Sequence, residues 1–140
     1  MSFSCIIDAS VFVQLFINDR HTLKIRSFFA DMESNTYHAP DAVYYETMGT
    51  LRKHELRFGY TTFHEDIRLM LDIPLVIVPT SDLLLLAADI CRMHLISPYD
   101  AFYVALSQRE GLPLLTADER LVHATYSKGF DVRFVGNTLL

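Results

Sequence analysis

Short apolar runs alternate with helix-patterned stretches along the whole chain, and this alternation limits the fold more than any other feature. Residues 3–7 read FSCII, and residues 75–78 read LVIV between Pro74 and Pro79. Each run is too short for a helix and apolar on both faces, as strands covered from both sides are. Further runs at 36–39, 114–115 and 131–135 complete a set of five. Asp8-Ala9-Ser10 opens one or two helical turns over 11–17. After a break at Asn18-Asp19, a rough stripe of Leu23, Ile25, Phe28, Phe29 and Met32 runs from Arg20 to Ser34. Residues 41–56 form a helix that starts beside Pro40 and stops at Phe58-Gly59. Thr61-Thr62 with Glu65 has the form of a capping box for a helix ending near residue 71. Ser81 is expected to cap a helix over 82–94, whose LLLLAA centre is apolar nearly all round and should be buried. Residues 99–121 then give a helix, a stop at Gly111, a strand after Pro113 and a new helix start at Thr116-Ala117-Asp118. The pattern predicts an α/β fold, a parallel sheet with helices on both faces. Sites in such sheets form beyond the carboxyl ends of strands, near the point where strand order reverses.

Composition narrows the function classes. With 140 residues, 51% of them hydrophobic, the chain (1–140) is expected to be a single domain with a sizeable core. The longest purely apolar run, 83–88, is far below the ~20 residues that span a bilayer. Asp8 interrupts the N-terminal apolar run before a secretory signal could form, so a cytoplasmic protein without membrane association is expected. The net charge of −5 carries no general footprint for nucleic acid, which argues against a simple binding module. It leaves room for a nuclease whose acidic pocket attracts metal ions before it meets a phosphate. Cys5 and Cys91 lie in apolar segments and read as buried free thiols. The six histidines lack zinc-site spacing and read as surface or helix-end residues.

Four acids carry the chemical signal. Asp8 ends the first strand, Asp118 follows the fourth, and Glu46 and Asp100 stand on helices that can face the same edge. Taken singly, Asp8 and Asp118 are explained as helix N-caps and Glu46 as a partly exposed residue beside Arg52 or Lys53. Taken together, three or four carboxylates in one place repel one another and stay charged only beside hard cations. Oxygen ligands with several waters suit Mg²⁺ or Mn²⁺, which activate water and stabilise a leaving oxygen in phosphodiester cleavage. Arg52, Lys53, His54 and Arg57 form a basic patch on the Glu46 helix, read either as a phosphate-contacting rim or as a solvated face. Tyr44, Tyr45, Tyr99 and Tyr103 can stack bases or pack in a core or dimer.

IIDASVFV at 6–13, YETMGTLRK at 45–53, SPYDAFYVALSQREGLPLLTADERL at 97–121 and FVGN near the end resemble the PIN-domain family, in its small prokaryotic VapC-like form. The resemblance covers essentially the whole chain, and the third piece is its most specific part. It implies a three-layer αβα fold around a five-stranded parallel sheet. It also implies a divalent-metal-dependent endoribonuclease with Mg²⁺ or Mn²⁺, frequent homodimers, and an antitoxin partner that blocks the site. The family's four acids fall on Asp8, Glu46, Asp100 and Asp118. Asp8, Asp100 and Asp118 then hold metal, while Glu46 holds a metal-bound water or accepts its proton. Ser10 and Thr116 match hydroxyls that orient carboxylates or a water. The surplus of 17 Asp+Glu over 12 Lys+Arg suits a partner that inserts an arginine among the carboxylates.

Rival readings fit less well. A receiver domain wants an acidic pair and a lysine after its last core strand, and a haloacid-dehalogenase-type phosphatase wants a second Asp where Ser10 stands. A flap-type nuclease needs DNA-clamping helices for which the chain has no room. A stand-alone PIN ribonuclease of RNA processing remains an alternative, as does a PIN-like interaction domain without catalysis. The second would be expected to lose acids, and all four are present.

Overall fold

The computed structural model describes residues 2–17, 21–59 and 62–138. Five strands form one sheet: β1 (Phe3–Ile7), β2 (Asn35–Pro40), β3 (Leu75–Val78), β4 (Leu114–Thr116) and β5 (Val132–Phe134). Their order is β3-β2-β1-β4-β5, and every pairing is parallel. From β1 the chain steps outward to β2 and β3, then crosses back to β4 and out to β5, so order reverses between β1 and β4. The chain's helices supply the connections: α1 (Ala9–Phe16), α2 (Thr22–Ala30), α3 (Ala42–Phe58), α4 (Phe63–Asp72), α5 (Thr80–Met93), α6 (Pro98–Glu110) and α7 (Glu119–Thr125), with a short α8 (Val135–Thr138) at the end. Right-handed crossovers in opposite directions put their helices on opposite faces. Accordingly α1 packs with α2 and α3, while α5 packs with α6, which rests on β1, β2 and β4.

The core follows from the central strands. Ile6, Ile7, Leu114 and Leu115 are fully buried, as are Val104 and Leu106 of α6 above them. Each such side chain contributes roughly 1.5–3 kcal/mol by leaving water. Phe12, Phe29 and Tyr37 fill the space under α1 and α2, with ring centroids 5.3 Å and 5.1 Å apart across Phe29. Two turns set the route to the site. Gly59 (φ 71) ends α3 and Gly111 (φ 66) ends α6, both in the left-handed region that glycine enters at no steric cost.

Several local expectations change. The LLLLAA segment is not buried all round: Leu83 is 0% exposed, but Leu84 is 55% and Leu85 83% exposed. α6 packs against one side of α5; Leu84 borders an apolar groove shared with Pro98 and Phe102 of α6, and Leu85 is turned to solvent. Ser81 does not cap α5, which begins at Thr80; the Thr80 N–H donates instead to Asp41 Oδ1 at 3.0 Å, a cap supplied from β2's end. Thr62 precedes α4 without a side-chain cap bond, and its hydroxyl donates to Asp66 Oδ2 at 3.0 Å. Thr61, the Asn18-Asp19 break and Arg20 lie outside the described residues. Pro40 closes β2 directly before Asp41, the N-cap of α3, as expected, whereas Val135 belongs to α8 rather than to β5. Cys5 is buried and its thiol is pushed up to about 12 by desolvation, whereas Cys91 is only half-buried. His38 stands half-buried inside β2, not at a surface or helix end.

The two leucines of α5 separate these readings by experiment. Leu83→Ala should destabilise the protein by about 2–5 kcal/mol, the cost of a buried truncation. Leu85→Ala should stay within about 0.5 kcal/mol in urea unfolding at low protein concentration. Equal losses would mean that the outer side of α5 is covered.

Candidate active site

The site lies at the carboxyl edge of the sheet, where order reverses between β1 and β4, the position at which open α/β sheets bind ligands. Asp8 leaves β1, and its backbone N–H donates to Leu115 O of β4 at 3.0 Å. Its side chain caps nothing. Instead Oδ2 accepts hydrogen bonds from the Ser10 and Thr116 hydroxyls, each at 2.7 Å. Those hydroxyl oxygens in turn accept the Ala117 N–H (2.9 Å) and the Asp118 N–H (3.0 Å). A hydroxyl has a single proton to give, so the 3.2 Å approach of Ser10 Oγ to Thr116 Oγ1 is a contact between two oxygens whose protons already point at Asp8. Ser10 and Thr116 thus orient the first carboxylate, and Asp8 Oδ1 takes no hydrogen bond among the described residues.

The other acids arrive from helices whose N-terminal ends face the same edge. Glu46 stands in the second turn of α3, half-buried, and accepts the Tyr103 hydroxyl at 3.2 Å. Asp100 is in the first turn of α6; Ser97 caps that helix by accepting the Asp100 N–H at 3.1 Å, so Asp100 is a first-turn residue and not the cap. Asp118 does act as a cap, since Oδ1 accepts the Arg120 N–H at 2.9 Å, with the Arg120 guanidinium at 3.4 Å from the same oxygen. A groove beside Asp100 and Asp118 is lined by Leu95, Ile96, Ser97 and Arg120.

Electrostatics links the four acids. Desolvation pushes the Asp8 carboxyl up to about 6, with the two hydroxyl bonds working against the rise and the charges of Asp100 and Asp118 adding to it. Glu46 is pushed up to about 7, first by desolvation and then by Asp8, while the Tyr103 hydrogen bond opposes the rise. Asp100 is raised by desolvation and by Asp118, and lowered by Ser97 and by Arg120. Among the described residues, no three acidic, histidine or cysteine side chains stand close enough together to enclose a cation as placed. The donors still have the chemistry of a hard-cation site: all are carboxylate or hydroxyl oxygens, and they sense one another's charge.

Arg52 and Lys53 are exposed on α3; Arg52 pairs with Glu55, and no hydrogen bond or ion pair among the described residues joins either to the four acids. The cation that borders the acids is Arg120, which the sequence reading did not single out. It also did not assign Tyr103 to Glu46. Both positions carry a readable signal: Tyr103 lies one helical turn after Asp100, and Arg120 lies two residues after Asp118.

The raised carboxyls set a pH dependence. Asp8 and Glu46 bind protons more tightly folded than unfolded, so their contribution to stability is full below the unfolded carboxylate range. It is lost as pH rises towards about 6 for Asp8 and about 7 for Glu46. Glu46→Gln, which keeps an acceptor for Tyr103, should therefore stabilise the metal-free protein at about pH 8, by on the order of 1 kcal/mol once screening of the half-buried group is discounted. At about pH 4 it should change little. Thermal melts at both pH values check this, and an equal effect at both would contradict the raised Glu46 carboxyl.

Comparison with known proteins gives the family and the fold. The family model described as PIN domain matches residues 5–125. No curated protein sequence matches the chain. Among solved structures, the fold is similar to a toxin–antitoxin complex from Klebsiella pneumoniae, with 15% identity over 94% of this chain and 97% of that chain and a TM-score of 0.67. It is similar to VapC20 from Mycobacterium tuberculosis, titled a sarcin-ricin loop cleaving toxin, with 18% identity over 90% and 95% of the two chains and a TM-score of 0.67. It is also similar to VapBC2 from Rickettsia felis bound to a promoter DNA fragment, with 11% identity over 94% and 98% and a TM-score of 0.68. The family match extends over most of the chain and includes Asp8, Glu46, Asp100 and Asp118, and on that ground the chain belongs to the PIN domain family.

Proposed function

We propose that this chain is a divalent-metal-dependent endoribonuclease and the toxin of a toxin–antitoxin pair. What supports the reading is the PIN domain match over residues 5–125, together with Asp8, Glu46, Asp100 and Asp118 on one sheet edge, where each of the first three feels the charge of another. Asp8, Asp100 and Asp118 would hold Mg²⁺ or Mn²⁺. Such an ion supplies an activated water and stabilises the leaving oxygen of a phosphodiester. Ser10 and Thr116 fix the Asp8 carboxylate through Oδ2, which would leave its second oxygen available to such an ion. Glu46, with a carboxyl raised to about 7, suits a proton acceptor that works near neutral pH. Arg120 stands where a phosphate entering beside Asp100 and Asp118 would meet positive charge. Arg52 and Lys53 can contact RNA further along α3.

The similarity of the fold to a toxin–antitoxin complex and to VapBC2 supports an antitoxin as partner. An acid-rich pocket suits an antitoxin arginine. A homodimer is part of the same reading, with Leu84, Leu85, Met93 and Leu95 offering exposed apolar surface.

A mixed RNA panel with Mg²⁺ or Mn²⁺ tests the catalytic reading. Wild type should cleave, and Asp100→Asn should lose about a hundredfold or more, the scale on which removing one charge-stabilising group acts. Equal activity in both proteins, or none from folded wild type with metal, would sink the reading. The toxin assignment has its own measurement: expression should arrest growth, and co-expression of a neighbouring antitoxin gene should restore it.

A further inference from the structure

Tyr103 is buried completely, yet a phenylalanine would fill the same space in α6. What the phenol adds is its hydroxyl, and that hydroxyl donates to Glu46 Oε1 at 3.2 Å. The backbone of Ala9 also faces the phenol, favouring its ionised form against the larger opposing effect of burial. Ala9 is the first residue of α1, where a helix N–H lacks an intrahelical acceptor. Among the described residues, the acceptor of the phenol proton is Glu46 Oε1. Three segments therefore meet at one side chain: the start of α1 just after Asp8, the second turn of α3, and α6 one turn beyond Asp100.

We propose that Tyr103 is a positioning residue of the nuclease site, a hydroxyl clamp that holds the Glu46 carboxylate by Oε1 and turns its other oxygen towards the water that attacks the phosphodiester. The role rests on the ribonuclease reading above. It differs from packing because a carboxylate on a free helical side chain samples several rotamers, and only one of them is compatible with a bond to Tyr103. Fixing that rotamer in advance removes reorganisation from the chemical step.

Tyr103→Phe is the test, assayed beside Glu46→Gln and the double variant. Tyr103→Phe should fold with a melting temperature near that of wild type, lower kcat by about tenfold to a hundredfold, the range for losing a residue that orients another, and leave KM for RNA nearly unchanged. In the Glu46→Gln background the same substitution should cost nothing further, as expected for residues that act as a unit. A kcat equal to wild type, or an equal loss with and without Glu46, would overturn the clamp. A readout without RNA separates this from failure of the nuclease reading: at one fixed pH, the ¹³C resonance of the Glu46 side-chain carboxyl should move on Tyr103→Phe. If it moves while wild type cleaves no RNA, the ribonuclease reading falls and with it the catalytic role of Tyr103, leaving only the pairing. If it does not move, the clamp falls whatever the activity. Should the substitution unfold the protein, wild type decides, since a slowly exchanging Tyr103 hydroxyl proton with a cross-peak to Glu46 is expected and its absence overturns the clamp.

Discussion

One carboxylate oxygen, Asp8 Oδ2, ties the ends of the two central strands together. Two hydroxyl protons converge on it, and each hydroxyl is itself fixed by a backbone N–H of the segment that follows β4. A chain of donors of this kind strengthens each member, because every bond polarises the next in a poorly hydrated setting. It also leaves few alternatives: moving β4 by one residue relative to β1 would separate Thr116 from Asp8 and turn Leu114 and Leu115 to the other face. The geometry of the acid edge and the register of the core are thus one constraint.

The remaining acids depend on a property of α/β sheets. A helix that follows a strand begins at the strand's carboxyl end, so α3 and α7 start at the acid edge. α6, which runs antiparallel to the sheet before β4, starts there as well. Asp41 reinforces the arrangement: its N–H donates to Val78 O, and its side chain caps α5 through Thr80. The start of α3 and the start of α5 are held against each other through the end of β3. Glu46 and Asp100 come from helices on opposite faces, and Tyr103 is where the two meet.

Much of this was legible in the residues. Five strands, the stops at Gly59 and Gly111 and the placement of Asp8 and Asp118 after strands follow from run length, turn chemistry and alternation. So did the α/β class. What could not be read was tertiary. Thr80 takes its cap from a residue distant in sequence, so the local signal of Ser81 misleads. Leu84 and Leu85 look like core because periodicity registers apolar content but not how many neighbours a helix has. Asp8 has the type and position of an N-cap, and only the arrival of Thr116 redirects its side chain. Glu46 carries no local mark of burial; its environment is made by Tyr103 and Asp8. The PIN resemblance grouped the four acids as one expected site, where spacing alone left each open to a simpler account.

The separation between Asp8 and Thr116 has a consequence for how the protein comes into being. The two residues lie 108 positions apart, and β4 is only three residues long. Contacts across such a span are entropically late to form, because a long loop must close before short-range pairing rewards it. Asp118 also leaves the ribosome after every other acid of the set. In a nascent or partly folded chain the four acids therefore lie apart, and they come to one edge only with closure of the sheet rather than step by step along the chain.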